Sequence, residues 1–363
     1  RAVQQPPAAA AAGPTVMDSR AGGQRLLDGS AGGSATAQWP WAQRLQRPKL
    51  QLPLMPAGEP GRNYAFAFLK PHANTEAARA FLLEQLQARG LKVMRQGSIS
   101  AEQMAEGRII DAHYGTLAAK ALDHRPVDLM VSQEGQERFK AAFGLAWQEA
   151  LARGLACNAL EAMQRLGYNE EELEEKWAPL QIGEGKVKFG GGFYCGHIEG
   201  LYVINGFYMA MRALYTKPGK FVHWFAVDWD AQDLSWEEFR TEVLGGTDPS
   251  RADAASLRGL FYERWGELGL PGAPHVGENA VHASASPFEA LVERMNWLGI
   301  NARDDPFGAA LLRAGVRPAL VQHWASDPVV EHDGRRISLF DLFENLDGAD
   351  CLDLALTLAA KRA

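Results

Sequence analysis

Two periods of apolar spacing alternate along this chain, and each change of period marks an element. YAFAFLKP (64–71) is apolar at nearly every position and closes on a proline, which predicts a strand. TEAARAFLLEQLQARG (75–90) repeats its apolar residues every three or four positions, with Thr75 as cap and Gly90 as stop, and predicts a helix. LKVMRQGSIS (91–100) predicts a second strand, and Ser100 with Gln103 caps another helix running toward HYGTLAAKAL (113–122). Further on, KFVHWFAVDWD (220–230) predicts a strand and SWEEFRTEVLG (235–245) a helix. Asn279-Ala280-Val281 suits a short strand or its end, and Ser286-Pro287-Phe288-Glu289 has the form of a capping box. The helix it opens has Phe288, Leu291, Val292 and Met295 on one apolar side. This order predicts an α+β fold: a ferredoxin-like sandwich with helices on one face of an antiparallel four-stranded sheet.

Other stretches break the pattern. Residues 1–62 are rich in Ala, Gly, Pro and Ser and poor in acids, as in a low-complexity tail or a transit-peptide remnant. Residues 123–206 interrupt the strand–helix order and form an insertion expected to be mostly helical. Its span 135–167 has helical spacing, 169–177 (NEEELEEKW) is an acidic turn, and 183–200 (GEGKVKFGGGFYCGHIEG) follows. That glycine run lacks the GKS or GKT ending of a phosphate loop and suits a loop or hairpin. Cys195, His197 and Glu199 lack a fourth ligand for a structural zinc site. Residues 301–363 carry capped helices with apolar stripes and form a C-terminal helical extension. Residues 63–122 and 207–300 together make the main domain.

Composition narrows the class without naming it. The chain has 363 residues, 47% hydrophobic and 22% charged, enough for a large core or two domains. Its formal net charge is −7, which argues against a general nucleic-acid binder. Residues 1–62 carry +4 of that balance, leaving −11 on the remainder. Three widely spaced cysteines (Cys157, Cys195, Cys351) make no disulfide framework and suit a reducing compartment. Cytoplasm fits, or an organelle (plastid or mitochondrion) if the N-terminal stretch is a transit-peptide remnant. No apolar run reaches the ~18 residues of a membrane span.

His282 is the candidate for chemistry. It sits among small residues on the connection from a short strand to an amphipathic helix, and Glu293 lies within that helix near its buried side. A carboxylate on one imidazole nitrogen fixes the tautomer and leaves the other nitrogen free as a nucleophile. A histidine merely satisfied in a loop is the alternative at this stage.

Separated motifs then converge. Lys70 stands in a Lys-Pro after the first strand, His113-Tyr114 forms a His-Tyr pair, and LGGTDPSRADAASLRG (244–259) places Thr247 and Arg258. Asn279, His282 and Ser284 make Asn-x-x-His-x-Ser, with Glu293 downstream. In order and spacing these residues resemble the nucleoside diphosphate kinase family, over about 64–122 and 207–300. The resemblance implies a γ-phosphoryl passed from a nucleoside triphosphate to His282 and then to a nucleoside diphosphate. It implies Glu293 and Ser284 as partners of that histidine. Lys70, Tyr114, Thr247, Arg258 and Asn279 would line the phosphate and ribose side, and Mg2+ would arrive with the nucleotide, with no metal held by protein ligands. Nucleoside di- and triphosphates are the implied partners, with a homo-oligomer or a larger protein complex also open.

The departures are specific. The family's arginine six residues before the threonine is Thr241 here, with Arg240 one place earlier, a shift of about 100° on a helix. The family's Asp after the serine is Ala285, and its Gly beside the histidine is Ala283. The base-stacking aromatic falls to Phe207 or Tyr208. These changes leave a second function open: a non-catalytic relative serving as a structural subunit of a larger assembly.

Overall fold

The computed structural model describes Glu59 and residues 61–361. The expectation for residues 1–62 therefore lies outside the described residues, apart from Glu59, Gly61 and Arg62. The described chain divides into two compact units, one of residues 120–210 and a larger one formed on either side of it in sequence.

The larger unit is built on a four-stranded antiparallel sheet of Arg62–Leu69, Lys92–Ser100, Phe221–Asp230 and Val281–Ala283. Across the sheet the order is Lys92–Ser100, Phe221–Asp230, Arg62–Leu69, Val281–Ala283. Arg62–Leu69 is thus an inner strand with partners along both edges, which explains its nearly continuous apolar sequence. Its alternate residues serve two cores. Ala65, Ala67 and Leu69 join Leu82, Leu86 and Phe261 on one face, while Phe66 and Phe68 join Ile110, Trp224 and Trp297 on the other. Helices consequently cover both faces, not the single face expected, because a strand apolar on both sides must be shielded on both.

The expected caps set the helix starts. Thr75 accepts from the Ala78 N–H and opens Glu76–Ala88, and Ser100 and Gln103 form a reciprocal capping box. The helix after Ser100 is not continuous, however. Arg108 adopts a left-handed conformation (φ 48°), so Ala101–Glu106 ends and Ile109–His113 starts on a new axis. SWEEFRTEVLG also changes character, passing from an α-turn at Trp236–Glu238 into a π-helix over Phe239–Leu244.

The C-terminal extension contains helices Pro306–Arg313, Pro318–Trp324, Leu339–Phe343 and Gly348–Ala360, with a hairpin of Val329–His332 and Arg335–Ser338 between them. A buried ion pair ties it down. Arg294 donates from Nε to Asp305 Oδ2 at 2.6 Å and from Nη1 to the Tyr64 carbonyl at 2.8 Å, with both charged side chains wholly buried. Asp305 Oδ1 also accepts from the Phe307 and Gly308 N–H groups, so one carboxylate pairs with arginine and caps a helix.

The smaller unit adds a sheet to the helices expected of the insertion. It holds a five-stranded mixed sheet in the order Ala156–Asn158, Leu201–Ile204, Phe193–Ile198, Gly185–Gly190, Gln181–Ile182. Helices Gln133–Phe143, Trp147–Ala152, Ala159–Leu166 and Glu170–Trp177 accompany it, and Phe139, Trp147, Phe189 and Tyr202 form its aromatic core. The glycine-rich stretch makes the hairpin expected of it. The acidic NEEELEEKW is a helix instead of a turn, because Asn169 and Glu172 close a capping box. Among the described residues no helix is long and apolar enough to cross a membrane.

Candidate active site

His282 lies at the centre of Val281–Ala283, not on the connection beyond it, and is paired in register with Phe68. Val281 and Ala283 face the core containing Leu69, so alternation turns the His282 ring to the opposite face. There it stacks on Phe68 with ring centroids 4.6 Å apart. This cross-strand contact fixes the plane of the imidazole.

The helix Pro287–Leu298 supplies the partner. Ser286 accepts from the Glu289 N–H and starts the helix, which carries Glu293 back over the sheet. Glu293 Oε1 is 2.6 Å from His282 Nε2, and Ser284 Oγ donates to Glu293 Oε2 at 2.6 Å. Ser284 is itself held by the edge of Phe66, accepting from its N–H. Burial would raise the Glu293 carboxyl, but the charge and hydrogen bond of His282, the charge of His113 and the Ser284 hydroxyl outweigh it. Together they bring it down to about 2, so Glu293 is a carboxylate. A carboxylate accepts only, so the hydrogen of the neutral ring sits on Nε2 and Nδ1 keeps its lone pair.

A second imidazole shares this carboxylate. His113 Nδ1 lies 3.6 Å from Glu293 Oε1, and its ring meets that of His282 edge-on at 4.8 Å. Trp297 Nε1 donates to His113 Nδ1 at 3.4 Å. The His-Tyr motif marked Tyr114 for the site, yet His113 is the residue that reaches Glu293. Spacing could not reveal this, because the break at Arg108 sets the direction of the short helix Ile109–His113. Tyr114 is half-buried and hydrogen-bonded to Tyr215.

The remaining sequence candidates differ in what they contact. Lys70 is brought near His282 by the sheet, since its N–H donates to the Ala280 carbonyl, two residues before the histidine. Asn279 Nδ2 donates to the Thr247 carbonyl, while its buried Oδ1 has no partner among the described residues. Arg258 is buried and turned to the backbone. Its Nε and Nη2 donate to the Val281 carbonyl at 3.2 and 3.1 Å, and Nη1 to that of Gly245 at 3.0 Å. In these bonds it braces the strand carrying His282.

Arg240 does not stand free. Its Nη1 donates to Glu344 Oε1 and Asn345 Oδ1, both at 2.6 Å, while Asn345 N–H donates to the Ala285 carbonyl. The C-terminal extension thus occupies Arg240 beside the position where the resemblance expects an aspartate. Arg240 is the second residue of the π-helix Phe239–Leu244. Tyr208 is wholly buried and offers no face to a base. Phe207 packs within the smaller unit on Trp177 and Tyr194.

Comparison with known proteins gives a restricted likeness. No family-wide sequence profile matches the chain. Over 60 residues it is 42% identical to a nucleoside diphosphate kinase of Beijerinckia indica, a match covering 16% of this chain and 35% of that protein. The chain therefore spans about a third of the length of that curated relative. Among solved structures it is similar to nucleoside diphosphate kinases from Encephalitozoon cuniculi, at 12% identity, and Pyrobaculum aerophilum, at 16%. The first match covers 67% of this chain and 92% of that one with a TM-score of 0.31, the second 65% and 95% with a TM-score of 0.31. The likeness to nucleoside diphosphate kinases is local in sequence.

Proposed function

We propose that the protein is a nucleoside diphosphate kinase-like phosphotransferase on a ferredoxin-like domain, with His282 as phosphoryl acceptor. The observation that carries this is the Ser284–Glu293–His282 chain, which holds the proton on Nε2 and leaves Nδ1 nucleophilic. In the first half-reaction the Nδ1 lone pair attacks the γ-phosphorus of a nucleoside triphosphate. The bond from that phosphorus to the β,γ-bridging oxygen breaks, and the diphosphate leaves with its electron pair. The ring gains positive charge, which the Glu293 carboxylate offsets through Nε2–H. A second nucleoside diphosphate then takes the group by the reverse step.

Lys70, Thr247 and Asn279 are assigned to the phosphate and ribose side, and Asn279 Oδ1 is an acceptor awaiting a donor such as a sugar hydroxyl. Tyr114 remains a candidate for the nucleotide. Mg2+ belongs to the nucleotide substrate. The one group of three ligand-type side chains found close together among the described residues is rich in nitrogen, a donor set unsuited to Mg2+.

A second reading, a non-catalytic structural subunit, draws on two observations. Arg240 is engaged by Glu344 and Asn345, and Arg258 by backbone carbonyls, so neither cation is offered to a phosphate. Nucleotide exchange separates the two. Wild-type protein with MgATP and a second nucleoside diphosphate should yield the second triphosphate, and His282→Ala should not. No exchange by folded wild-type protein supports the structural subunit.

A further inference from the structure

We propose that His113, His282 and Glu293 form a binding site for a divalent transition-metal ion of the Zn2+ class, and that an ion there closes His282 to phosphoryl transfer. One ring nitrogen each of His113 and His282 and a Glu293 oxygen all lie within 4.8 Å of one another, and no other His, Cys, Asp or Glu trio is found so close among the described residues. Two imidazoles and one carboxylate are a ligand set of open zinc sites. Ligand bonds of about 2.0–2.2 Å in a tetrahedron put neighbouring donor atoms roughly 3.4 Å apart. His113 Nδ1 and Glu293 Oε1 are at 3.6 Å already. His282 Nε2 and Oε1, now 2.6 Å apart across a shared proton, would have to part by less than about 1 Å.

The surroundings suit an ion. Ser284 holds the far oxygen of Glu293, the kind of outer hydrogen bond that orients a metal-ligating carboxylate. Phe68 and Trp297 wall the site with apolar surface, and His282, 19% exposed, leaves one side open to a water ligand. The bond from Trp297 to His113 Nδ1 is long at 3.4 Å, so the lone pair of that nitrogen is released at little cost.

The functional consequence rests on the phosphotransferase reading and follows from the tautomer. Without metal, Nε2 of His282 bears the hydrogen and Nδ1 the lone pair. An ion bound at Nε2 uses the lone pair there, and the proton of the neutral ring moves to Nδ1, where the nucleophile had been. No redox change is involved. With Nε2 on the ion and the hydrogen on Nδ1, the neutral ring has no lone pair left to attack phosphorus.

Binding is read first, without activity. Equilibrium dialysis against Zn2+, and the visible spectrum during Co2+ titration, should show one ion per chain in a four-coordinate site. His113→Gln and His282→Gln, each checked for native circular dichroism, should each weaken binding at least tenfold. Nitrogen-15 spectra of histidine-labelled protein should show the His282 N–H moving from Nε2 to Nδ1 as Zn2+ is added. Phosphoryl uptake from γ-labelled ATP should fall at least tenfold on Zn2+ loading and return with chelator. Binding unaltered in both variants, or an N–H that stays on Nε2, overturns the site. Uptake unaffected by the bound ion overturns the exclusion. Uptake absent without metal, with dialysis and spectra as expected, counts against the phosphotransferase reading and leaves the metal site standing.

Discussion

Glu293 Oε1 lies 2.6 Å from His282 Nε2, across eleven residues of chain that include a whole helix start. The carboxylate has two tasks there, to hold the tautomer and to offset charge when the ring is phosphorylated. Glu293→Gln keeps the size and removes the charge. It should lower the rate of His282 phosphorylation about a hundredfold, within the range for proton-positioning groups. Single-turnover label uptake measures this, and an unchanged rate would remove Glu293 from the mechanism.

Ser284→Ala tests the outer link. It deletes the bond to Glu293 Oε2 and the acceptor for the Phe66 N–H. A loss of about 1–3 kcal/mol in stability is expected for the buried groups left unmatched, together with a smaller fall in uptake than for Glu293→Gln. Urea unfolding and the same uptake assay report both.

Much of this was legible in the sequence because it is local. The Ser100–Gln103 box, the Thr75 cap and the three long strands follow from period and capping chemistry, while the fourth strand lies two residues later than its sequence suggested. Asn-x-x-His-x-Ser with its downstream Glu marked the His282 contacts. What stayed hidden depends on distant contacts or on irregular backbone. His113 reaches Glu293 only through the left-handed turn at Arg108, and the π-helix that contains Arg240 has no signature in a 3.6-residue period. The sheet of the smaller unit escaped because its strands span only two to six residues and Gly185–Gly190 begins and ends on glycine.

Ala280 is buried with φ 65°, directly before the strand of His282. A side chain in this left-handed region costs about 1–2 kcal/mol that glycine avoids, partly offset by the freer unfolded chain. Ala280→Gly should therefore leave stability equal or raise it by up to about 1 kcal/mol. A loss above that would mean the Ala280 methyl group packs more tightly than its backbone strain is worth.

His72 gives the expected pH dependence. Its Nε2 accepts from the Ala280 N–H, and Lys70, His275, Lys220 and Glu278 surround it. Burial, with the charges of Lys70 and His275, pushes the imidazole down to about 3. The unfolded chain protonates this histidine near pH 6.5 and the folded chain does not until about 3. The unfolded state thus binds more protons between those values, and stability is lost as pH falls through that window. The slope should approach 1.4 kcal/mol per pH unit, as for one proton. His72→Gln should flatten the fall measured by urea midpoints from pH 6.5 to 4, and an unaltered slope would contradict it.

Arg240 tests how far the C-terminal extension controls the site. Its half-exposed pair with Glu344 should contribute no more than about 1 kcal/mol, so Glu344→Gln should fold normally. If the extension withholds Arg240 from phosphate, Glu344→Gln should raise label uptake. An uptake equal to wild type would assign the pair to anchoring alone.

The most direct measurement is of the bond to His282 itself. The protein is incubated with γ-labelled MgATP, denatured, and the label tested for stability in acid and in base and located by peptide mass. The expected result is one acid-labile, base-stable phosphoryl group per chain on His282, discharged by added nucleoside diphosphate and absent from His282→Ala. Label on a serine or threonine, or no label on folded protein freed of metal by chelator, would contradict the assignment.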